Sequence, residues 1–257
     1  MATDYTPVTE LSGDDVAQEQ VERLCNRYYW AGNYCTGKDV AEVACGTGQG
    51  LGYLQGVSKS FEAGDYSEGI LAIARKHYGD RIILRQFDAH DMPFQDKSRD
   101  VIILFETIYY FSDAEKVVRE CVRVLRTGGK VLLATANKDL YDFNPSPHSH
   151  KYYGVIELKE LFSTYGFDTQ FFGDTSVDRV SLIQRILRPI KKLVVMSGLM
   201  PKSMAGKKIL KRIVFGRLVR MPAEIDGDTS EYVAPDKISD SEADKRHKVI
   251  YCAATLS

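Results

Sequence analysis

Short apolar segments alternate with segments of helical period along this chain, and the alternation is its most constraining feature. Helices are predicted over residues 67–78 and 113–126, the second ended by Gly128 and Gly129. Strands joined by helices of about 10–15 residues form right-handed crossovers and pair in parallel. The apolar runs are continuous, as expected of strands covered on both faces. The predicted parallel strands are residues 40–45, 60–65, 81–88, 100–106 and 130–136.

The ends of the chain complete this pattern. Residues 1–13 are predicted to be a flexible tail, and Asp14 or Asp15 to cap a helix over residues 16–31. After the fifth strand, a helix over 155–165 precedes strands at 167–172 and 248–256, which predict an antiparallel edge hairpin. Residues 14–257 are therefore expected to form an α/β domain with a Rossmann-like, seven-stranded, mostly parallel sheet. A helical insertion, residues 173–246, precedes the last strand.

Composition narrows the classes of function. The formal net charge of −1 argues against a surface adapted as a whole to nucleic acid. Five cysteines without a C-x-x-C pair favour a reduced, cytoplasmic protein. The polar, acidic N-terminus lacks the apolar run of a signal peptide, and no stretch approaches the roughly 20 apolar residues of a membrane-spanning helix.

A glycine-rich loop, E-V-A-C-G-T-G-Q-G over residues 42–50, follows the first parallel strand. Ligands of such sheets bind at the carboxyl ends of the strands. Gly46 and Gly48 allow the backbone to turn tightly and approach a ligand. The dinucleotide pattern G-x-G-x-x-G is absent, because Leu51 or Tyr53 stands where the third glycine belongs. No Gly-Lys-Ser/Thr follows, which excludes a P-loop.

Acidic residues end the first two strands. Asp65 follows the glycine loop by some 20 residues, where a carboxylate can bind both ribose hydroxyls of an adenosine. Glu42 begins the loop and can lie toward the methionine end of a cationic sulfonium cofactor. Alternatively, Asp65 caps a helix, and Gly46 and Gly48 serve an ordinary strand-to-helix turn.

Five ordered motifs resemble those of class I S-adenosylmethionine-dependent methyltransferases. The glycine loop resembles their first motif, Asp65 their ribose-binding acid, and F-D-A-H-D-M-P-F (87–94) their adenine-contacting segment. Residues 100–111 and 124–135 resemble their fourth and fifth strand segments. The resemblance implies S-adenosylmethionine as cofactor and S-adenosylhomocysteine as product. The implied cofactor contacts are Glu42, Ala44, Cys45, Gly46, Gly48, Asp65, Tyr66, Asp88, Ala89 and Phe105.

Candidates for catalysis lie in the loop N-P-S-P-H-S-H-K-Y-Y (144–153). An alcohol acceptor needs a general base, and His148 or His150 could take its proton. The alternative is that both are polar loop residues. The residues predicted to line an acceptor pocket, or else to serve as packing residues, are Glu106, Tyr109, Tyr110, Tyr152 and Tyr153. No metal is predicted, because Asp88, His90 and Asp91 lack a further ligand cluster nearby.

The insertion contains a basic block, with twelve Lys/Arg and no Asp or Glu between Arg179 and Arg220. Helices are predicted over 182–195, interrupted at Pro189, and over 207–219. Three interpretations stay open: a helical lid with solvated lysines, a contact with anionic lipid or lipid-linked phosphate, and nucleic-acid binding. The block lacks interleaved aromatic residues, which disfavours the third.

The acceptor is predicted from a second, less specific resemblance. Residues 144–166 look similar to methyltransferases of surface-polysaccharide or glycolipid synthesis. Together with the basic block, they favour O-methylation of a sugar hydroxyl on a glycan or lipid-linked intermediate, with peripheral association at the inner membrane face. The alternatives are a natural-product or quinone-type acceptor, and a regulatory module that binds the cofactor without activity.

Overall fold

The computed structural model of this protein describes residues 11–177 and 218–257. An eight-stranded sheet has the order β4-β3-β2-β5-β6-β10-β7-β9. Its strands are β2 (Asp39–Val43), β3 (Ser60–Asp65), β4 (Ile83–Gln86), β5 (Arg99–Phe105), β6 (Leu125–Ala136), β7 (Phe167–Ser176), β9 (Asp236–Ile238) and β10 (His247–Leu256). The described helices are α1 (Gln18–Cys35), α2 (Leu51–Val57), α3 (Glu68–Tyr78), α4 (Ala114–Val124) and α5 (Val155–Thr164).

The pairing confirms the predicted Rossmann-like α/β fold. Strands β2 to β6 pair in parallel, with β2 between β3 and β5. β10 inserts antiparallel between β6 and β7, which gives the expected antiparallel pair. The sheet has eight strands rather than seven because β9, within the acidic segment 222–244, pairs antiparallel with residues 171–173 of β7.

The sheet is covered on both faces, and its strand residues alternate between two cores. Along β5, Ile103 belongs to a hydrophobic cluster that includes the helix residues Trp30 and Leu71. Its neighbours Ile102 and Leu104 pack on the opposite face, beside α4 and α5. This alternation is the period-two geometry of a strand. The run of apolar residues at positions 101–105 of β5 is therefore explained by burial of both faces of the strand.

The N-terminal segment differs from the prediction. Residues Asp15–Ala17 form a short strand, β1, which pairs antiparallel with β8 (Leu218–Arg220). Asp14 and Asp15 do not cap α1, because the backbone here forms the β1–β8 ladder. The helix begins at Gln18, and the Gln20 side chain accepts a hydrogen bond from the Ala17 N–H at 3.0 Å.

Residues 1–10 of the predicted tail lie outside the described residues. The two helices predicted for the insertion also lie outside them, except for positions 218 and 219, which belong to strand β8. In the tail, Gly13 donates a backbone hydrogen bond to the Met221 carbonyl at 2.8 Å. Within 11–177 and 218–257, no helix is long and apolar enough to cross a membrane.

Candidate cofactor and acceptor site

A cleft of about 620 Å³ lies at the carboxyl ends of the parallel strands. The predicted cofactor residues that line it are Glu42, Ala44, Cys45, Gly46, Asp65, Tyr66, Asp88, Ala89 and Phe105. The predicted acceptor and catalytic residues that line it are Glu106, Tyr109, Tyr110 and His150. The topology thus brings together segments that lie far apart in sequence, because parallel strands end at a common edge.

The glycine loop turns through left-handed backbone. Gly46 has φ +61° and Gly48 has φ +85°, conformations that favour glycine. Gly48 does not line the cleft. A Cβ atom at this position would lie 2.9 Å from Leu51 Cδ1 and 3.2 Å from Ala74 Cβ. Gly48 therefore allows the loop to pack closely against α2 and α3. Ala44 also has a positive φ, +57°, directly after β2.

Asp65 fastens the glycine loop to the end of β3. Its Oδ2 accepts a hydrogen bond from Gly46 N–H at 2.9 Å, and its Oδ1 accepts one from Ser67 N–H at 2.8 Å. Burial raises the pKa of Asp65, although these backbone donors oppose the rise. The N-cap of α3 is Ser67, not Asp65. Each carboxylate oxygen has a second lone pair, which leaves acceptor capacity for ligand hydroxyls.

Asp88, after β4, lies beside His90. Its Oδ1 accepts a hydrogen bond from the His90 N–H at 2.9 Å and contacts the imidazole Nδ1. Burial opposes ionisation, but these contacts prevail and lower the pKa of Asp88. Among the residues described, no group of three or more His, Cys, Asp or Glu side chains could hold a metal ion.

Glu42 is the most deeply buried acid of the cleft, with 1% of its surface exposed. Its Oε1 accepts a hydrogen bond from the Tyr28 hydroxyl at 2.7 Å. Its Oε2 is buried and has no hydrogen-bond partner in the described part of the chain. Burial raises the pKa of Glu42 to about 7, against the lowering effects of Tyr28 and Arg27. A cationic ligand group would satisfy this carboxylate, so the site fits the positively charged end of S-adenosylmethionine.

Glu106 stands at the end of β5 with φ +51°. Its Oε1 lies 3.3 Å from Arg27 Nη1, and its Oε2 accepts a hydrogen bond from the Tyr109 hydroxyl at 3.1 Å. Burial, followed by the charge of Glu106, raises the pKa of Tyr109 well above its usual value. Tyr109 is therefore a hydrogen-bond donor, and Glu106 is an oriented carboxylate at the cleft. A positive φ in a non-glycine residue is strained, a feature often found at functional sites.

The histidine loop reaches the cleft through one of its two histidines. His150 lines the cleft, and its backbone N–H donates to the Tyr109 carbonyl at 2.7 Å. His148 is exposed and is not among the residues that line the described cleft. Tyr152 stacks on Tyr109 with ring centroids 4.4 Å apart. Tyr153 is buried in the core. Neither of these tyrosines lines the cleft.

Helix α1 and strand β10 contribute lining residues that the sequence analysis does not identify. They are Gln20, Arg23, Leu24, Arg27, Tyr28, Lys248, Val249 and Tyr251. These residues carry no local motif, and their spacing along α1 is simply that of a helix packed on the sheet. Their role depends on the fold, which places α1 beside the ends of β2 and β5.

Several known methyltransferases have sequences related to this one. Residues 41–133 match the model of the methyltransferase domain family. A probable S-adenosylmethionine-dependent methyltransferase of Mycolicibacterium smegmatis is 34% identical over 140 residues, which cover 53% of this chain and 54% of that protein. An O-methyltransferase of Penicillium expansum is 27% identical over 219 residues, covering 79% of this chain and 72% of that protein. The match spans about half the length of the Mycolicibacterium smegmatis protein and of two further probable S-adenosylmethionine-dependent methyltransferases.

The fold also matches a solved structure. A SAM-dependent methyltransferase from Thermotoga maritima superimposes with a TM-score of 0.59 at 14% sequence identity. The match covers 93% of this chain and 92% of that one. At this identity the likeness concerns the fold alone, and it includes the sheet whose strand ends form the cleft.

Proposed function

We propose that this chain is a class I S-adenosylmethionine-dependent methyltransferase and that it methylates a hydroxyl group of a small or lipid-linked acceptor. The observation that carries the proposal is the common cleft of the predicted cofactor residues and the Arg27–Glu106–Tyr109 group. When bound, S-adenosylmethionine supplies an electrophilic methyl group on its sulfonium.

Three acidic positions would hold the cofactor. Asp65 would accept hydrogen bonds from the ribose hydroxyls, since it ends β3 and retains acceptor capacity. Ala89, together with Asp88, would contact the adenine. Glu42 would face the cationic methionine end, where its buried Oε2 lacks a partner among the described residues. A charged ligand group would relieve the cost of burying that carboxylate.

Glu106 is the proposed general base. Methyl transfer to an alcohol requires alignment of the oxygen and removal of its proton. The carboxylate of Glu106 borders the cleft, and Arg27 and Tyr109 fix its orientation. It would accept the acceptor's hydroxyl proton on one of its oxygens. His150, which is exposed at the same cleft, is the second candidate for this role.

A sugar hydroxyl on a glycan or lipid-linked intermediate is the proposed acceptor. Gln20, Arg23 and Lys248 give the α1–β10 side of the cleft a polar wall, which suits a polyhydroxylated or anionic molecule. The relative from Penicillium expansum is named an O-methyltransferase, which agrees with a hydroxyl acceptor. A phenolic natural product or quinol is the alternative, favoured by the aromatic side chains of Tyr109 and Tyr110 at the cleft.

Turnover with methyl-labelled S-adenosylmethionine tests this proposal. The purified chain is incubated with lipid-linked sugars, glycolipids and quinols, and labelled products are identified by mass spectrometry. We expect Glu106→Gln to lower kcat about a hundred-fold or more while cofactor affinity is unchanged. The exposed acid Glu115 on α4 provides the control variant Glu115→Gln, which is expected to retain full activity.

The outcomes separate the alternatives. A large loss of kcat in His150→Gln, with Glu106→Gln active, would transfer the role of base to the histidine. Cofactor binding without turnover of any acceptor in the panel would favour the regulatory module over the enzyme.

A further inference from the structure

Arg23 stands where two cavities meet. It lies on α1, one helical turn before Arg27, and lines the cleft described above. It also lines a second cavity of about 320 Å³. The walls of this second cavity include Glu22, Asn26 and Asp174. Lys248 likewise borders both spaces. The junction thus carries two cationic side chains.

The guanidinium of Arg23 has no partner within residues 11–177 and 218–257. Its Nε atom is buried and makes no hydrogen bond. Lys248, the second cation at the junction, pairs with Glu19. The neighbouring Arg27 also has an unpaired Nε, but its Nη1 pairs with Glu106. Arginine stays protonated even when partly buried, so its charge cannot be lost by titration. A partly buried donor without an acceptor is costly, and a ligand that supplies the acceptor removes that cost.

Two of the neighbouring acidic groups, Asp174 and Glu19, are engaged elsewhere. Asp174 accepts a hydrogen bond from the Tyr251 hydroxyl at 3.1 Å and lies 3.5 Å from Asn26 Nδ2. Glu19 forms the ion pair with Lys248. Glu22 also lines the second cavity, but no ion pair joins it to Arg23 in the described part of the chain, so the planar guanidinium keeps its donors at the junction. Its fork of N–H groups matches the paired oxygens of a phosphate or carboxylate.

We propose that Arg23 binds an anionic group of the acceptor, a phosphate or a carboxylate, where the cleft meets the second cavity. This inference rests on the proposed function and narrows its acceptor to a molecule that carries a negative charge. An acceptor held at this point would extend from the cleft into the second cavity.

Calorimetry with inorganic phosphate tests the inference. The chain, saturated with S-adenosylhomocysteine, is titrated at constant ionic strength. Phosphate is expected to bind the wild type and to bind Arg23→Gln about ten-fold more weakly or worse. Arg23→Lys should fall between them, because an ammonium keeps the charge and lacks the fork. Lys76→Gln, which removes an exposed cation from α3, should match the wild type. All four proteins should bind S-adenosylhomocysteine within about two-fold of one another.

Three results would overturn the inference: no phosphate binding by the wild type, equal phosphate affinity in Arg23→Gln, or a ten-fold loss of S-adenosylhomocysteine affinity in that variant. The last would assign the guanidinium to the cofactor's own carboxylate. If Arg23→Gln does not fold by circular dichroism, Arg23→Lys and the phosphate-induced shift of the Arg23 Nε–H NMR signal decide the matter. A repeat without S-adenosylhomocysteine separates this test from the proposed function. If the chain binds phosphate through Arg23 but binds no cofactor, the proposed function is refuted and the inference about Arg23 stands.

Discussion

Binding of S-adenosylmethionine should depend on pH through Glu42. Burial raises the pKa of this carboxyl to about 7, and its ionised form is the one that attracts the cationic end of the cofactor. Below pH 7, protonation of Glu42 competes with binding, and affinity should fall by up to ten-fold per pH unit. We expect about ten-fold weaker binding at pH 6 than at pH 8. In Glu42→Gln, affinity should be low at both values, and the pH dependence should disappear.

The same pKa has an opposite consequence for the free protein. A rise from 4.5 to about 7 means that the folded chain keeps a proton that the unfolded chain releases. The free energy of unfolding should therefore decrease as pH rises from 4.5 to 7, by up to about 3 kcal/mol. Glu42→Gln removes this cost, so the variant without ligand should be more stable than the wild type at pH 8. The variant would gain stability and lose cofactor affinity.

Calorimetry at pH 6 and pH 8, paired with urea unfolding, measures both effects. 5′-Methylthioadenosine is the matched ligand, because it keeps the adenosine and lacks the charged methionine end. Its affinity should be the same for the wild type and Glu42→Gln. Glu115→Gln, at an exposed acid, controls for loss of a negative charge. Equal affinity of the wild type for S-adenosylmethionine at the two pH values, or the same pH dependence in Glu42→Gln, would refute the reasoning.

Two further substitutions test local geometry. Gly48→Ala combines a φ of +85° with a Cβ 2.9 Å from Leu51 Cδ1, and should cost about 1–2 kcal/mol in urea unfolding. Gly69→Ala, on α3 with no atom within 4 Å of the added Cβ, should be neutral or stabilising, and an equal cost in both variants would contradict the assignment. Asp113 is the N-cap of α4, and its Oδ1 accepts a hydrogen bond from the Lys116 N–H at 2.9 Å. Asp113→Ala removes this hydrogen bond and should lower the free energy of unfolding by about 1 kcal/mol, as measured by thermal unfolding. An unchanged unfolding temperature would show that this hydrogen bond contributes nothing.

The sheet and the cofactor loop could be predicted because their signals are local. β5 and β6 contain runs of consecutive apolar residues, whereas β3 and β4 contain shorter apolar segments between helices. The residues with predicted chemical roles follow directly after the strands. Helix α2 was missed, since Gly52 and Gly56 lower its helix propensity. Its formation depends on the burial of Leu51 and Leu54, which only the tertiary structure supplies. β9 was missed because it has three residues, of which only Ile238 is apolar, and so shows no alternating pattern before it pairs with β7 at the sheet edge.

Half of the candidate site could not be predicted, because it depends on contacts between distant segments. The Tyr28–Glu42 hydrogen bond and the Arg27–Glu106 ion pair join α1 to the ends of two strands. Helical periodicity identifies α1 as a packed helix, but it does not indicate which of its residues meet the cleft. Tyr152 and Tyr153 were predicted to line an acceptor pocket, and the difficulty there is a different one. Their aromatic character is compatible with both a pocket and a core, and neither residue lines the described cleft.

The proposed function requires that the cleft between Glu42 and Asp65 binds S-adenosylmethionine. Calorimetric titration of the intact chain with S-adenosylhomocysteine tests it most directly, in the wild type and in Asp65→Ala. We expect one binding site per chain and an affinity about ten-fold or more weaker in the variant, which lacks the carboxylate for the ribose hydroxyls. Absence of binding by the wild type, or undiminished affinity in Asp65→Ala, would contradict it.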